Sequence, residues 1–389
     1  MRRTHLGVSI KVCTGREGAI LNSHLRDFPE ALRVTSKAKF GFAGDLGDLY
    51  ARGRHLLRES IQCGVTSMRA HVEVDRTVGF ACVDVGLRLK EHFKDTCDIQ
   101  LAAFAQDPLY AAGSKEPSDN LRWLEQAAAK DGVSVIGSAP YVEPSLEQAK
   151  MNIIHILDLA EAHTLHVDFH LDYNADPATE PLVWFVLDQL RARRWTERIA
   201  KGLPAHITIG HATRLSLFSA EEWQILARSV IDLPISFVAL PQSDLYMMGR
   251  TEDTLPGLGP RRYTLNVPRL RKQFRLNIAM SINNVQNAFT PQGSVDPLAL
   301  CPLGVAAFQA GTPRDCMILL EAVSRESKRA IGDTNVPRGL VLSEGDPADF
   351  VLLHANNSAH SAALNPCWER TTIKGGAVVG GRRAHVWTV

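Results

Sequence analysis

The sequence predicts an α/β fold: a (β/α)₈ TIM-like barrel, its first strand short or missing, followed by a small C-terminal β element. Three observations point there. From about residue 63 short apolar runs alternate with longer amphipathic ones, and repeated strand–helix alternation implies a parallel sheet. Seven such units fill a span of roughly barrel length, which favours a closed barrel over an open sheet. Three of the strands end in polar side chains: the stretch His166-Val167-Asp168-Phe169-His170-Leu171-Asp172-Tyr173-Asn174, then His211, then Asn283-Asn284. Carboxyl ends of parallel strands are where α/β barrels gather their chemistry. No GxGxxG follows the first strand, so a dinucleotide-binding sheet has no support.

Each strand is a short run of branched or small apolar residues bounded by turn signals: Val65–Val74, Ile99–Ala105, Val133–Ser138, Leu165–His170, Ile207–Gly210, Ile235–Leu240 and Leu276–Ile282. The helical patterns between them are Gly79–Phe93, Leu121–Lys130, Leu146–His163, Leu182–Arg194, Ala220–Ile231 and Val267–Phe274. In the third, Ile153, Ile154, Leu157 and Ala160 recur at helical spacing. Ser219 before Glu221-Glu222 is an N-cap with an acidic first turn. The last barrel helix is expected over Pro313–Ile331. An eighth strand has room only before the helix Leu46–Gln62, where residues 1–12 offer a poor candidate. Beyond residue 335 the texture changes. A turn and strand at Asp346–Leu353 and short strands at Thr371–Ile373, Ala377–Val379 and Ala384–Val389 form a small β element. The expected division is a barrel over 1–335 and a β remnant over 336–389.

The bulk composition excludes several classes. A formal net charge of +1 and no basic stripe argue against nucleic acid. No apolar run reaches the ~20 residues of a membrane span, and no secretory signal follows Met1. Seven scattered cysteines without a CxxC pair exclude a zinc ribbon and a disulfide framework, and fit reduced thiols in the cytoplasm. The expected partner is a small-molecule substrate, with a homo-oligomer open.

Several residues could carry chemistry. His170, at a strand terminus beside Asp172, suits a divalent metal or is satisfied by local hydrogen bonds. His211 either orients a nucleophilic water or an oxyanion, or caps the strand. Asn283 and Asn284 hold a polar substrate or simply turn the chain. Gln106 has one donor and one acceptor for an amide or heterocycle edge. His71, Glu73 and Asp75 share one strand face and form ligands or a polar core network.

These motifs resemble the cytosine deaminase-like branch of the amidohydrolase superfamily. The residues are Gly64 to Asp75, with Met68-Arg69-Ala70-His71-Val72; Ala103-Phe104-Ala105-Gln106; Asp168-Phe169-His170-Leu171-Asp172; Gly210-His211-Ala212-Thr213; Asn283 to Gly293, with Asn287-Ala288-Phe289-Thr290; and Gly345 to Leu353. They run in order from about residue 46 to the end and are most similar to a fungal-type subgroup. The resemblance implies hydrolysis of a C–N bond, of deaminase or cyclic amidase type, in a small polar molecule. It implies one divalent metal, zinc or iron, with His170 as the strand-5 ligand and His5 as the remaining half of a strand-1 pair, an incomplete set. It implies His211, Tyr173 and Asn283 in catalysis, and Gln106, Asn284, His71 and Phe289 on the substrate. Tyr173 stands where the family has a proton-shuttling Glu, Asn283 where it has a metal-binding Asp, and Arg3 where it has the first strand-1 His. These departures leave an alternative: a metal-poor derivative doing isomerase, lyase or cyclase chemistry, in a fungal secondary pathway, or a non-catalytic relative.

Overall fold

The computed structural model describes residues 3–4, 6–11, 28–248, 262–291, 293–385 and 387–388, the first ten of these as backbone. Eight parallel strands lie side by side in chain order. They are β2 (Leu6–Lys11), β3 (Val65–Glu73), β4 (Asp98–Ala105), β5 (Val133–Ser138), β6 (His166–Leu171), β7 (Ile207–His211), β8 (Ile235–Ala239) and β9 (Ile278–Met280). All seven strands expected from the apolar runs are present, some trimmed at their ends. The eighth is Leu6–Lys11, in register with β3 from Leu6↔Val65 to Lys11↔His71. The sequence undersold it because Gly7, Ser9 and Lys11 interrupt the apolar run that a doubly buried strand usually shows.

Helices follow the strands at Ala81–His92, Asp119–Ala128, Leu146–His163, Val183–Ala192, Ala220–Ser229 and Val267–Phe274. Ser118, Ser145 and Asn266 cap three of them through their side chains, and Ser219 with Glu222 forms a full capping box. The helix expected over Pro313–Ile331 is two helices, Pro313–Ala322 and Arg325–Ala330. The break falls at Ser324 (φ −130°, ψ −101°), whose hydroxyl donates to the Leu320 carbonyl. None of the described helices is long and apolar enough to cross a membrane.

The core lies between sheet and helices. Val167, Phe169 and Leu171 of β6 are fully buried within it, as are Ile153, Ile156 and Leu157. Alternation turns Asp168 and His170 to the barrel interior. There the fully buried Arg69 donates to Gln100 (2.7 Å), Asp168 (2.7 Å), Thr208 (2.6 Å) and the Ile331 carbonyl (2.9 Å). A guanidinium without water is tolerable only when its donors are paired this fully. Glycine is required at 137, because a Cβ there would stand 2.3 Å from the Asp168 carbonyl oxygen.

A second, antiparallel sheet has the order β1-β10-β11-β12. It comprises β1 (Arg3–Thr4), β10 (Phe350–Leu353), β11 (Arg370–Lys374) and β12 (Ala377–Arg382). The small β element thus also draws a strand from the chain's start. The strand expected over Ala384–Val389 is not formed by its described residues, since the hairpin partner of β11 ends at Arg382. Arg370 and Arg382 both reach Asp296 (2.6 and 3.1 Å), fastening this sheet to the barrel.

A helix that the sequence did not announce, Phe28–Lys39, packs at the barrel mouth. Its Ala31, Leu32 and Val34 join Tyr173, Met247, Met248, Ala288 and Phe289 in a separate apolar cluster.

Candidate active site

Two groups of polar side chains meet at the carboxyl-terminal end of the barrel. The deeper group is His71 on β3 with Asp168 and His170 on β6, whose ligand atoms all lie within 4.8 Å of one another. Asp168 Oδ2 is 3.2 Å from His71 Nε2 and 2.7 Å from Arg69 Nη1, and Oδ1 is 3.9 Å from His170 Nε2. Burial alone would raise the Asp168 carboxyl. His71 and Arg69 outweigh it and hold the group well below the usual carboxylate range. Two imidazoles and one ionised carboxylate are a donor set that zinc or iron accepts. The 3.2 Å edge is close to the roughly 3.3 Å that separates ligands on a tetrahedral ion with bonds of about 2.0 Å. Arg69 stands behind the carboxylate as an outer partner does in metal sites. Chemistry and spacing therefore fit a divalent ion. Gly210 leaves room for this group: a Cβ there would meet His170 Cδ2 at 3.3 Å.

The outer group centres on His211. It ends β7 with a left-handed backbone (φ 66°), followed by Ala212 (φ 50°), which turns the chain sharply at the barrel rim. Nδ1 lies 2.8 Å from Asp244 Oδ1, and Nε2 lies 3.5 Å from the Asn283 amide nitrogen. The ring packs on Tyr173 (centroids 3.8 Å apart) and meets His170 edge-on at 5.0 Å. Asp244 is fully buried in the short helix Pro241–Met247 and also accepts from Leu240 N and Thr264 Oγ1. Burial raises its pKa, while the bonds from His211, Thr264 and Leu240 pull the other way.

The remaining sequence candidates fall around these groups. Asn284 is buried, and its Oδ1 has no hydrogen-bond partner among the described residues. Gln106 is buried at the end of β4 and bonded to the Tyr141 hydroxyl. Phe289 sits in the apolar cluster under the mouth helix. The Tyr173 hydroxyl reaches the Ser243 carbonyl at 3.5 Å. Asp172 does not join His170 at a common site. Its carboxylate accepts from the amides of Leu182 (2.7 Å) and Val183 (3.1 Å), and burial pushes its pKa up to about 6. His5 lies outside the described residues; the strand that follows it begins at Leu6 and has its carboxyl end at Lys11.

Glu73 and Asp75 are engaged by a residue that sequence reasoning missed. Lys39, at the end of the mouth helix, is 2% exposed and lies 2.9 Å from Glu73, 2.5 Å from Asp75 and 2.9 Å from Asp107. Asp168 and Asp244 were missed as well. Period-2 alternation from His170 pointed to Asp168, whereas nothing local marked Asp244 or Lys39.

No family model matches the chain. It is 23% identical over 355 residues to a pterin deaminase of Rhizobium rhizogenes, covering 90% of this chain and 73% of the relative. It is 22% identical over 330 residues to N-isopropylammelide isopropyl amidohydrolase of Pseudomonas sp. strain ADP, covering 84% and 72%. Among solved structures it is similar to 5-methylcytosine deaminase from Klebsiella pneumoniae, with a TM-score of 0.83 and 21% identity over all of this chain and 88% of the other. The relatives of this chain are thus deaminases and amidohydrolases, and its architecture is a TIM-like barrel with a small antiparallel sheet.

Proposed function

We propose that this chain is a metal-assisted hydrolase that cleaves an exocyclic C–N bond of a small nitrogen heterocycle. One observation carries the reading: His71, Asp168 and His170 converge in the barrel beside a second histidine backed by a buried carboxylate. The sequence relatives, a deaminase and an amidohydrolase by name, support the same reaction type.

His71, Asp168 and His170 would hold the ion, zinc or iron. When bound, the ion supplies the Lewis acidity that makes water a nucleophile at neutral pH. His211 Nε2 accepts the proton that water loses and returns it to the departing nitrogen, so the C–N bond is replaced by C–O and an amine leaves. Asn283, Asn284 and Gln106 present amide donors and acceptors to the ring edge. Tyr173 contributes its ring, which stacks on His211, while its hydroxyl is turned to Ser243. Phe289, Tyr141 and Met247 give the mouth an apolar wall suited to a planar substrate. The described cysteines, free and mostly buried, support a cytoplasmic setting. The Asn283 to Gly293 motif supports the fungal-type subgroup.

The test is metal analysis joined to ammonia or amine release from a panel of aminopyrimidines, aminotriazines and pterins. The expected result is about one equivalent of zinc or iron, lost in Asp168→Asn and His170→Ala but kept in His211→Ala, with turnover of at least one heterocycle. Less than about a tenth of an equivalent after loading with either metal would remove the metal from the proposal.

A further inference from the structure

We infer that Asp244 is a positioning residue that fixes His211 in the tautomer protonated on Nδ1, leaving the Nε2 lone pair for the reacting water. The inference rests on the hydrolytic reading of the same site.

Two donors and one imidazole nitrogen converge on the buried Asp244 carboxylate. Oδ2 accepts from Leu240 N (3.1 Å) and Thr264 Oγ1 (2.8 Å), and Oδ1 faces His211 Nδ1 at 2.8 Å. With two donors on Oδ2, the carboxylate turns Oδ1 to the ring as an acceptor. His211 Nδ1 must then carry the proton. On the opposite edge the Asn283 amide nitrogen, a donor, faces Nε2 at 3.5 Å. Both edges of the ring therefore agree with the same tautomer. The 3.5 Å separation is at the limit of a hydrogen bond, so water can compete for Nε2. This pattern of base and orienting carboxylate recurs wherever a neutral histidine must present one chosen nitrogen.

The surroundings also dictate what an amide would do at position 244. The Leu240 amide is a donor and nothing else, so in Asp244→Asn the side-chain oxygen must remain on that side. The NH₂ group is left facing His211 Nδ1 and donates to it. The imidazole is forced into the opposite tautomer, with its proton on Nε2 where the lone pair is needed.

The experiment is ¹⁵N NMR of histidine-labelled, zinc-loaded protein at about pH 8, where a neutral imidazole shows which nitrogen is protonated. His211 is assigned by difference from His211→Gln. The wild type should show protonated Nδ1 and unprotonated Nε2, and Asp244→Asn the reverse. The variant should keep its zinc and its melting temperature, and lose kcat by up to about 10⁴-fold with KM little changed. A wild-type ring protonated on Nε2 overturns the inference, and so does a variant with unchanged tautomer. Should the variant not fold, the wild-type spectrum decides alone. Failure of the wild type to turn over any heterocycle would count against the hydrolytic reading and leave the tautomer result standing.

Discussion

Replacing Lys39 by methionine isolates the clasp between the mouth helix and the barrel. The methionine keeps most of the stem and removes the ammonium. Glu73, Asp75 and Asp107, which now lie 2.5–2.9 Å from that ammonium, would then face one another without a cation. Burial opposes the charge on Lys39, but the three carboxylates outweigh it and raise its pKa, so the lysine is charged at any ordinary pH. Breaking a buried pair from one side costs about 3–5 kcal/mol, because the remaining charge stays uncompensated. At ~2.1 cal/mol/K per residue, a chain of 389 residues unfolds with roughly 0.8 kcal/mol/K. The expected fall in Tm at neutral pH is therefore about 4–6 °C, measured by calorimetry. Repulsion among the three acids weakens as protons bind. Burial raises the Asp107 carboxyl, so it takes a proton more readily than a free aspartate does. The difference between Lys39→Met and wild type should accordingly shrink on acidification, and adding Asp75→Asn should recover part of the loss. A Tm within about 1 °C of wild type at pH 7, or a deficit that grows on acidification, would refute the reasoning.

Three further outcomes follow from the geometry. In Gly210→Ala the new methyl meets His170 Cδ2 at 3.3 Å; metal affinity should fall about tenfold by equilibrium dialysis while Tm moves little. Tyr173→Phe should retain turnover within about threefold, since the hydroxyl donates to the Ser243 carbonyl at 3.5 Å, whereas Tyr173→Ala removes the ring that packs on His211 and should cost at least tenfold in kcat. Burial and then the Arg69 charge lower His166 to about 4 and His206 to about 3. Below about 6.5 the unfolded chain takes protons that the folded one refuses, so stability should climb from pH 4 to 6.5 by on the order of 1.4 kcal/mol per pH unit per imidazole. Asp172, raised to about 6 chiefly by burial, works in the opposite direction over part of that window. Urea midpoints of His166→Gln/His206→Gln against pH should show the slope reduced.

The parts of this molecule that were legible in the sequence are those whose signal is local. The barrel strands are rich in apolar residues, and His211 and Asn283 follow such runs where the strands end, so the barrel and these positions could be read from the pattern. Val65–Glu73 departs from it, burying Thr66, Ser67, Arg69 and His71 along its length. The β2 strand escaped because its apolar residues alternate. The helix Phe28–Lys39 escaped because its buried face packs on the barrel mouth rather than on the main core. Asp244 and Lys39 carry no local mark at all. The first acts on a histidine 33 positions away, and the second closes on acids 34, 36 and 68 positions away.

Asp172 and Asp168 show most sharply where pattern reading stops. Both have the parity of His170, so strict alternation would turn all three toward the barrel interior. Asp172, however, has a left-handed backbone (φ 51°) that ends the strand. Aspartate tolerates that conformation better than most residues, since its short side chain can bond nearby backbone. Here the carboxylate takes the amides of Leu182 and Val183 and fixes the loop into the next helix. Asp168, four residues earlier in regular strand, keeps the inward direction and gains Arg69 and His71. One backbone dihedral separates the aspartate that meets His71 and His170 from the one that does not. The sequence names the candidates, and the turn chemistry chooses between them.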